Sequence, residues 1–121
     1  MRFIQEFGYT VKVGQDEAHQ RWYEENDAAL RAAMPAGSKY IGTFAVVISS
    51  EKQAGFYKTL IELDSYGAMD ASAAANKDPN NEFGRLLRES SQFVDLSLAA
   101  PWSNALLKDV LDATIWDPQQ G

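Results

Sequence analysis

The chain has 121 residues, 45% of them apolar and 23% charged, the size and composition of one globular domain with a single core. It has no cysteine, so it has no disulfide, thiolate metal site or cysteine nucleophile, which fits a reducing compartment. A formal charge of -6, with eleven basic residues scattered and none in a run, argues against nucleic acid as a partner.

No apolar segment approaches the roughly 18 residues that a membrane span needs. Gln5, Glu6 and Gly8 fall where a signal peptide would be apolar, so none is expected there, and the expected location is the cytoplasm.

Arg2 to Val13 alternates as a strand does. Phe3, Phe7, Tyr9 and Val11 share one parity with Gln5, while Ile4, Glu6, Gly8, Thr10 and Lys12 take the other. Gly14 ends it. Asp16 is a plausible N-cap for a helix over residues 17–34, with Ala18, Trp22, Ala29 and Ala33 on its apolar side and Glu24, Glu25 and Asp27 on its wet side. Pro35 and Gly37 stop it. Two strand signals follow, YIGTFAVVIS from Tyr40 and FYKTLIELD from Phe56, separated by SEKQAG. They read as an antiparallel hairpin in the middle of a sheet.

Next come two short helical pieces, YGAMDASAAA and EFGRLLRESS, interrupted by the turn chemistry of NKDPNN. Gln92 to Ala100 alternates again and is expected to be the last strand. Ser103 then caps a C-terminal helix over 103–116, with Leu106, Leu107, Val110 and Leu111 in its apolar stripe. The predicted domain is thus 1–121, with a core over 2–100 and a helical extension.

A β-α-β-β-α-β order is the ferredoxin-like α+β arrangement, with both helical regions on one face of a four-stranded antiparallel sheet. The opposite face mixes Phe56, Leu60 and Phe93 with Glu6, Lys58, Glu62 and Asp95, and is too apolar to stay wet. A second copy closing over it gives an isologous dimer with an enclosed cavity.

The segment YIGTFAVVISSEKQAGFYKTLIELDSYGAMD resembles the central hairpin and second-helix entry of the dimeric α+β barrel superfamily. The resemblance covers about residues 2–100. It implies a homodimer, and a function like that of antibiotic biosynthesis monooxygenases, polyketide cyclases or muconolactone isomerase-like enzymes. Such enzymes act without a cofactor on aromatic or polyketide-like molecules. The superfamily also includes haem-degrading enzymes and proteins without clear activity.

Among the residues themselves, Glu62, Asp95 and His19 are the candidates for acid or base chemistry. His19 is the one histidine and is suited to proton transfer near neutrality. Beside it, Trp22 and Tyr23 can line a cavity mouth, although a core role for Trp22 with His19 at the helix edge carries more weight. Glu6, Glu62 and Asp95 sit on strands rich in apolar residues, where a carboxylate must be paired, hydrated or shifted in pKa. Lys58 or Arg2 can simply neutralise them. Tyr40, Lys58 and Phe93 complete the candidate binding set with Glu6, Trp22 and Tyr23. No metal or cofactor is expected: GxGxxG and GKS or GKT are absent, and haem would need His19 as its axial ligand. The alternative to an enzyme is a non-catalytic dimeric module that binds a small hydrophobic or aromatic ligand or only assembles.

Overall fold

The computed structural model describes residues 2–50 and 55–110. Its elements are β1 (Phe3–Tyr9), α1 (Asp16–Ala33), β2 (Ser38–Ala45), β3 (Tyr57–Leu63), α2 (Ala68–Lys77), α3 (Glu82–Ser90), a 3₁₀ turn at Ser91–Phe93, and β4 (Trp102–Lys108). All three strand pairs are antiparallel and the sheet order is β2-β3-β1-β4. This is the ferredoxin-like α+β arrangement that the order of elements predicted. The β2–β3 hairpin is not central, however. β2 is an edge strand, and β1 and β3 hold the middle.

Register decides which side chains share a face. Phe3, Gln5, Phe7 and Tyr9 stand opposite Leu63, Ile61, Thr59 and Tyr57 of β3, and they point toward the helices. Ile4, Glu6 and Gly8 stand opposite Glu62, Leu60 and Lys58 on the open face. α1 begins at Asp16 rather than being capped by it; Gln15 occupies the cap and makes no side-chain cap bond. The break between α2 and α3 falls where the turn residues place it. Asp78 accepts from the Asn80 backbone N–H at 2.9 Å, and the Asn81 side chain caps α3 by accepting from Gly84 N–H at 3.1 Å. Gly84 lets α3 lie directly on the Ala75 carbonyl of α2, a spot that any Cβ would fill. The two helices therefore meet as a tight elbow over the sheet.

The last strand is elsewhere than the alternation suggested. Of Gln92 to Ala100, only Val94 pairs, through a single bridge to Val11, flanked by hydrogen bonds from Lys12 N–H to Phe93 and from Asp95 N–H to Thr10. Leu96 and Leu98 are exposed, because Asp95 turns the chain by accepting the Ser97 backbone N–H. The fourth strand is instead Trp102–Lys108, the stretch expected to open a C-terminal helix. Its pairing with the whole of β1, from Phe3↔Lys108 to Tyr9↔Trp102, outweighs the helical spacing of Leu106 and Leu107. The remainder of that expected helix, residues 111–116, lies outside the described residues, as does 51–54 of the hairpin connection.

The core lies in two parts. One joins Tyr9, Val11, Trp22, Leu30, Tyr40, Leu86, Phe93 and Val94; the other joins Phe3, Ile61, Leu63 and Ala68. Met34 touches both.

Candidate functional site

Between the two parts of the core, the sheet and the helices flank a partly open cavity of about 610 Å³. Its floor is the helix-facing side of the sheet, with Gln5, Phe7 and Tyr9 of β1, Thr59 and Ile61 of β3, and Tyr40 of β2. Its roof is the elbow, which contributes Met69, Ser72 and Asn76 from α2 and Phe83, Leu87 and Arg88 from α3. Tyr23 and Leu30 of α1 close one side, and Trp102 and Asn104 of the edge strand β4 close another. The lining is mostly apolar and aromatic, and its one charged side chain among the described residues is the exposed Arg88.

One end is built from stacked rings. Tyr57, Tyr9 and Trp102 lie side by side across β3, β1 and β4, with ring centres 6.0 and 5.9 Å from Tyr9. His19 reaches down from α1 onto this row, 4.4 Å from Tyr57 and 5.6 Å from Tyr9, with Tyr23 and Phe93 against its other sides. Its Nε2 lies 2.6 Å from the Tyr9 hydroxyl, which also lies 3.5 Å from the Tyr23 hydroxyl. Burial pushes the Tyr9 phenol far above its ordinary value and holds His19 below the usual 6.5, with the Asp16 charge opposing the shift in His19. The pair is therefore an uncharged hydrogen-bonded unit at neutral pH.

Tyr40 is fixed from behind. The Arg31 guanidinium donates to the Tyr40 and Ile41 carbonyls at 2.9 and 3.1 Å where β2 bulges, and sits 5.3 Å from the Tyr40 ring centre. Asp27 accepts from its Nε at 2.8 Å. The Tyr40 hydroxyl lies 2.7 Å from Thr43 Oγ1, which lies 2.8 Å from Thr59 Oγ1. Burial raises the Tyr40 pKa to about 12, so this hydroxyl too is neutral.

Gln5 differs from its neighbours. It is 6% exposed and flanked by Ile61 and Leu106 on the adjoining strands. Among the described residues its amide has no hydrogen-bond partner, although no polar side-chain atom sealed from solvent is unsatisfied. The amide therefore faces the open space of the cavity.

The structure divides the predicted site residues. Tyr23 and Tyr40 line the cavity, and His19 stands directly behind Tyr9. Trp22 and Phe93 are core residues; Trp22 donates its indole N–H to Glu89 at 2.6 Å and so ties α1 to α3. Glu6, Lys58 and Glu62 are on the open face, away from this cavity, with Lys58 3.9 Å from Glu6 and Arg2 paired to Glu62. Asp95 is in a surface loop, where the Ser97 hydroxyl and backbone N–H hold its carboxyl below the usual range. This cavity is on the other side of the sheet from the acid-bearing face, over which a second copy was expected to enclose one. Haem ligation by His19 meets an occupied Nε2 and a ring packed on several sides. Sequence reasoning passed over Gln5, although it was the one polar residue on the apolar parity of β1.

No protein-family model matches the chain, and no curated protein matches it in sequence. Solved structures do match in shape. A NIPSNAP family protein from Agrobacterium tumefaciens superposes with a TM-score of 0.65 at 14% identity, over 93% of this chain and 89% of that one. A NIPSNAP-like domain protein from Burkholderia xenovorans gives 0.62 at 16% identity, over 98% and 97%. A candidate antibiotic biosynthesis monooxygenase from Nitrosomonas europaea gives 0.55 at 9% identity, over 93% and 94%. The chain has the fold of the NIPSNAP-type proteins. At such identities the likeness is one of fold, and it bears out the resemblance to the α+β barrel superfamily at that level. Among the described residues no helix is long and apolar enough to cross a membrane.

Because the buried imidazole resists protonation, the unfolded chain takes up a proton below about pH 6.5 that the folded chain refuses. The contribution of His19 to stability is therefore full above that value and is lost as pH falls below it. An NMR titration of the single imidazole is expected to give a pKa below 6.5, and a value at or above 6.5 contradicts the buried neutral pair.

Proposed function

We propose that this protein binds a small, largely aromatic molecule in the cavity between sheet and helices, as a cytoplasmic homodimer closed over the open face. The observation that carries the reading is the cavity itself. Its volume of about 610 Å³ falls within the roughly 300–1,000 Å³ of small-molecule sites. Like them, it pairs an apolar and aromatic wall with a few convergent polar groups: Gln5, Tyr9, Tyr40 and Thr59. The cytoplasmic setting rests on the cysteine-free composition.

Support for the dimer comes from the open face. Ile4 and Leu60 lie in its centre, with Phe44 and Leu107 about half exposed at its sides. Two oppositely charged pairs, Lys58 with Glu6 and Arg2 with Glu62, are set within it. An apolar surface with its charges already neutralised is suited to a self-complementary contact.

A second reading, catalysis, is favoured by the Tyr9–His19 pair at the cavity wall. An enol or phenol in the cavity can pass its proton to the Tyr9 oxygen while the Tyr9 proton passes to His19 Nε2. That step leaves an enolate or phenolate and an imidazolium, and it is what a cofactor-independent monooxygenase, cyclase or isomerase requires of its protein. In this reading Glu62 and Glu6 act only in a space formed across the dimer, and Asp95 has its carboxylate committed to Ser97.

Bicyclic aromatic compounds screened by thermal shift are expected to raise the melting temperature of the wild type, and Ala73→Trp, at the cavity rim, should abolish the response. A response that survives in Ala73→Trp places the ligand elsewhere. Sedimentation at micromolar concentration is expected to show a dimer that Leu60→Arg converts to a folded monomer, and a monomeric wild type removes the dimer from the reading.

A further inference from the structure

We infer that Gln5 is the anchoring group of the cavity, and that it selects an uncharged ligand whose buried end carries a hydrogen-bond donor next to an acceptor. Lactams, carboxamides and hydroxy-carbonyl groups meet that description. The inference rests on the reading of the cavity as a small-molecule site and says what the site recognises.

Three observations carry it. Gln5 is more than nine-tenths buried, lines the cavity, and has no hydrogen-bond partner among the described residues. A polar side chain in that position is ordinarily matched within the protein, and one left unmatched toward a cavity is matched by whatever fills it. Its amide presents both kinds of group at once, an N–H₂ that donates and a C=O that accepts, so its complement is an adjacent acceptor and donor. Its neighbours Ile61 and Leu106 offer neither.

Charge is argued against by the rest of the lining. Arg88, the one charged lining residue among those described, is exposed at the elbow and donates to the Asn76 carbonyl at 2.9 Å. The hydroxyls of Tyr9 and Tyr40 stay neutral, and neither a carboxylate nor a lysine lines the floor. An ion placed beside Gln5 would have no counter-charge. The Tyr9 hydroxyl adds a direction. It is already engaged by His19 and Tyr23, with Thr59 of the floor also acting on its oxygen, and it lies four residues along the same face of β1 from Gln5 with Phe7 between them. A flat ligand lying over Phe7, with its paired polar end at Gln5, satisfies the floor of the site.

The test uses two probes of the same shape. 2-Quinolone carries the adjacent N–H and C=O of a lactam; coumarin has a ring oxygen in place of the N–H and keeps only the acceptor. Titration calorimetry on the full chain is expected to show 2-quinolone binding about tenfold more tightly than coumarin to the wild type. In Gln5→Met, which keeps the length of the side chain, that preference should vanish while coumarin binding persists. Should Gln5→Met fail to fold, Gln5→Asn, one methylene shorter, is expected to show the same loss of preference. Equal binding of the two probes to the wild type, or a preference that survives substitution of Gln5, overturns the anchor while leaving the cavity a binding site. Failure of both probes to bind the wild type overturns the anchor and the binding reading together.

Discussion

The two parts of the hydrophobic core are kept from merging, and most of what this protein offers a ligand follows from that separation. A domain of this size ordinarily closes its sheet and helices onto one continuous core. Here the aromatic cluster around Trp22 and Phe93 fills one end, and Leu63 with Phe3 and Ala68 fills the other. The roof between them is an elbow rather than a straight helix, because Asp78 and Asn81 stop one helix and start the next. A roof made of two short helices at an elbow does not follow the sheet everywhere. Ser72 and Asn76 on the first limb, and Phe83 and Leu87 on the second, therefore stand around a space instead of filling it.

The two faces of the sheet accordingly have different tasks. Parity along β1 gives the helix side Phe3, Gln5, Phe7 and Tyr9, and gives the open side Ile4, Glu6 and Gly8. The carboxylates of the open side have basic partners close by, Lys58 beside Glu6 and Arg2 beside Glu62. On the helix side the floor of the cavity carries no charged side chain among the described residues. Burial keeps both His19 and Tyr9 neutral, and the Tyr40 ring is fixed by Arg31, whose guanidinium stays outside. Any chemistry performed there must begin and end with groups that tolerate a largely apolar wall.

Much of this fold was legible in the sequence because local pattern and tertiary role agree. The alternation of β1, the apolar spacing of α1, the hairpin and the broken second helix all stand within a few residues of where they were placed. The exceptions have physical causes. Val94, Leu96 and Leu98 alternate, but only Val94 finds a strand to pair with, and alternation alone cannot supply a partner. Leu106 and Leu107 sit side by side in what reads as a helix, yet on an edge strand Leu106 packs against the core cluster of Phe3 and Ile61 while Leu107 faces the open side about half exposed. The site was less legible. Periodicity separates two faces without saying which one the helices cover, and so attention went to Glu62 and Asp95. The useful signal was the exception within the apolar set: a glutamine among Phe3, Phe7, Tyr9 and Val11, a polar residue where burial was already expected.

The central claim is that the space between the two halves of the core exists in the folded protein and is open to a guest. A crystal of the protein pressurised with xenon tests it most directly, since xenon enters apolar cavities without needing a specific ligand. The account predicts xenon density bounded by Phe7, Tyr40, Ile61 and Leu87. Side chains closing over that volume, with Phe83 and Ile61 in van der Waals contact and no xenon between them, would contradict it.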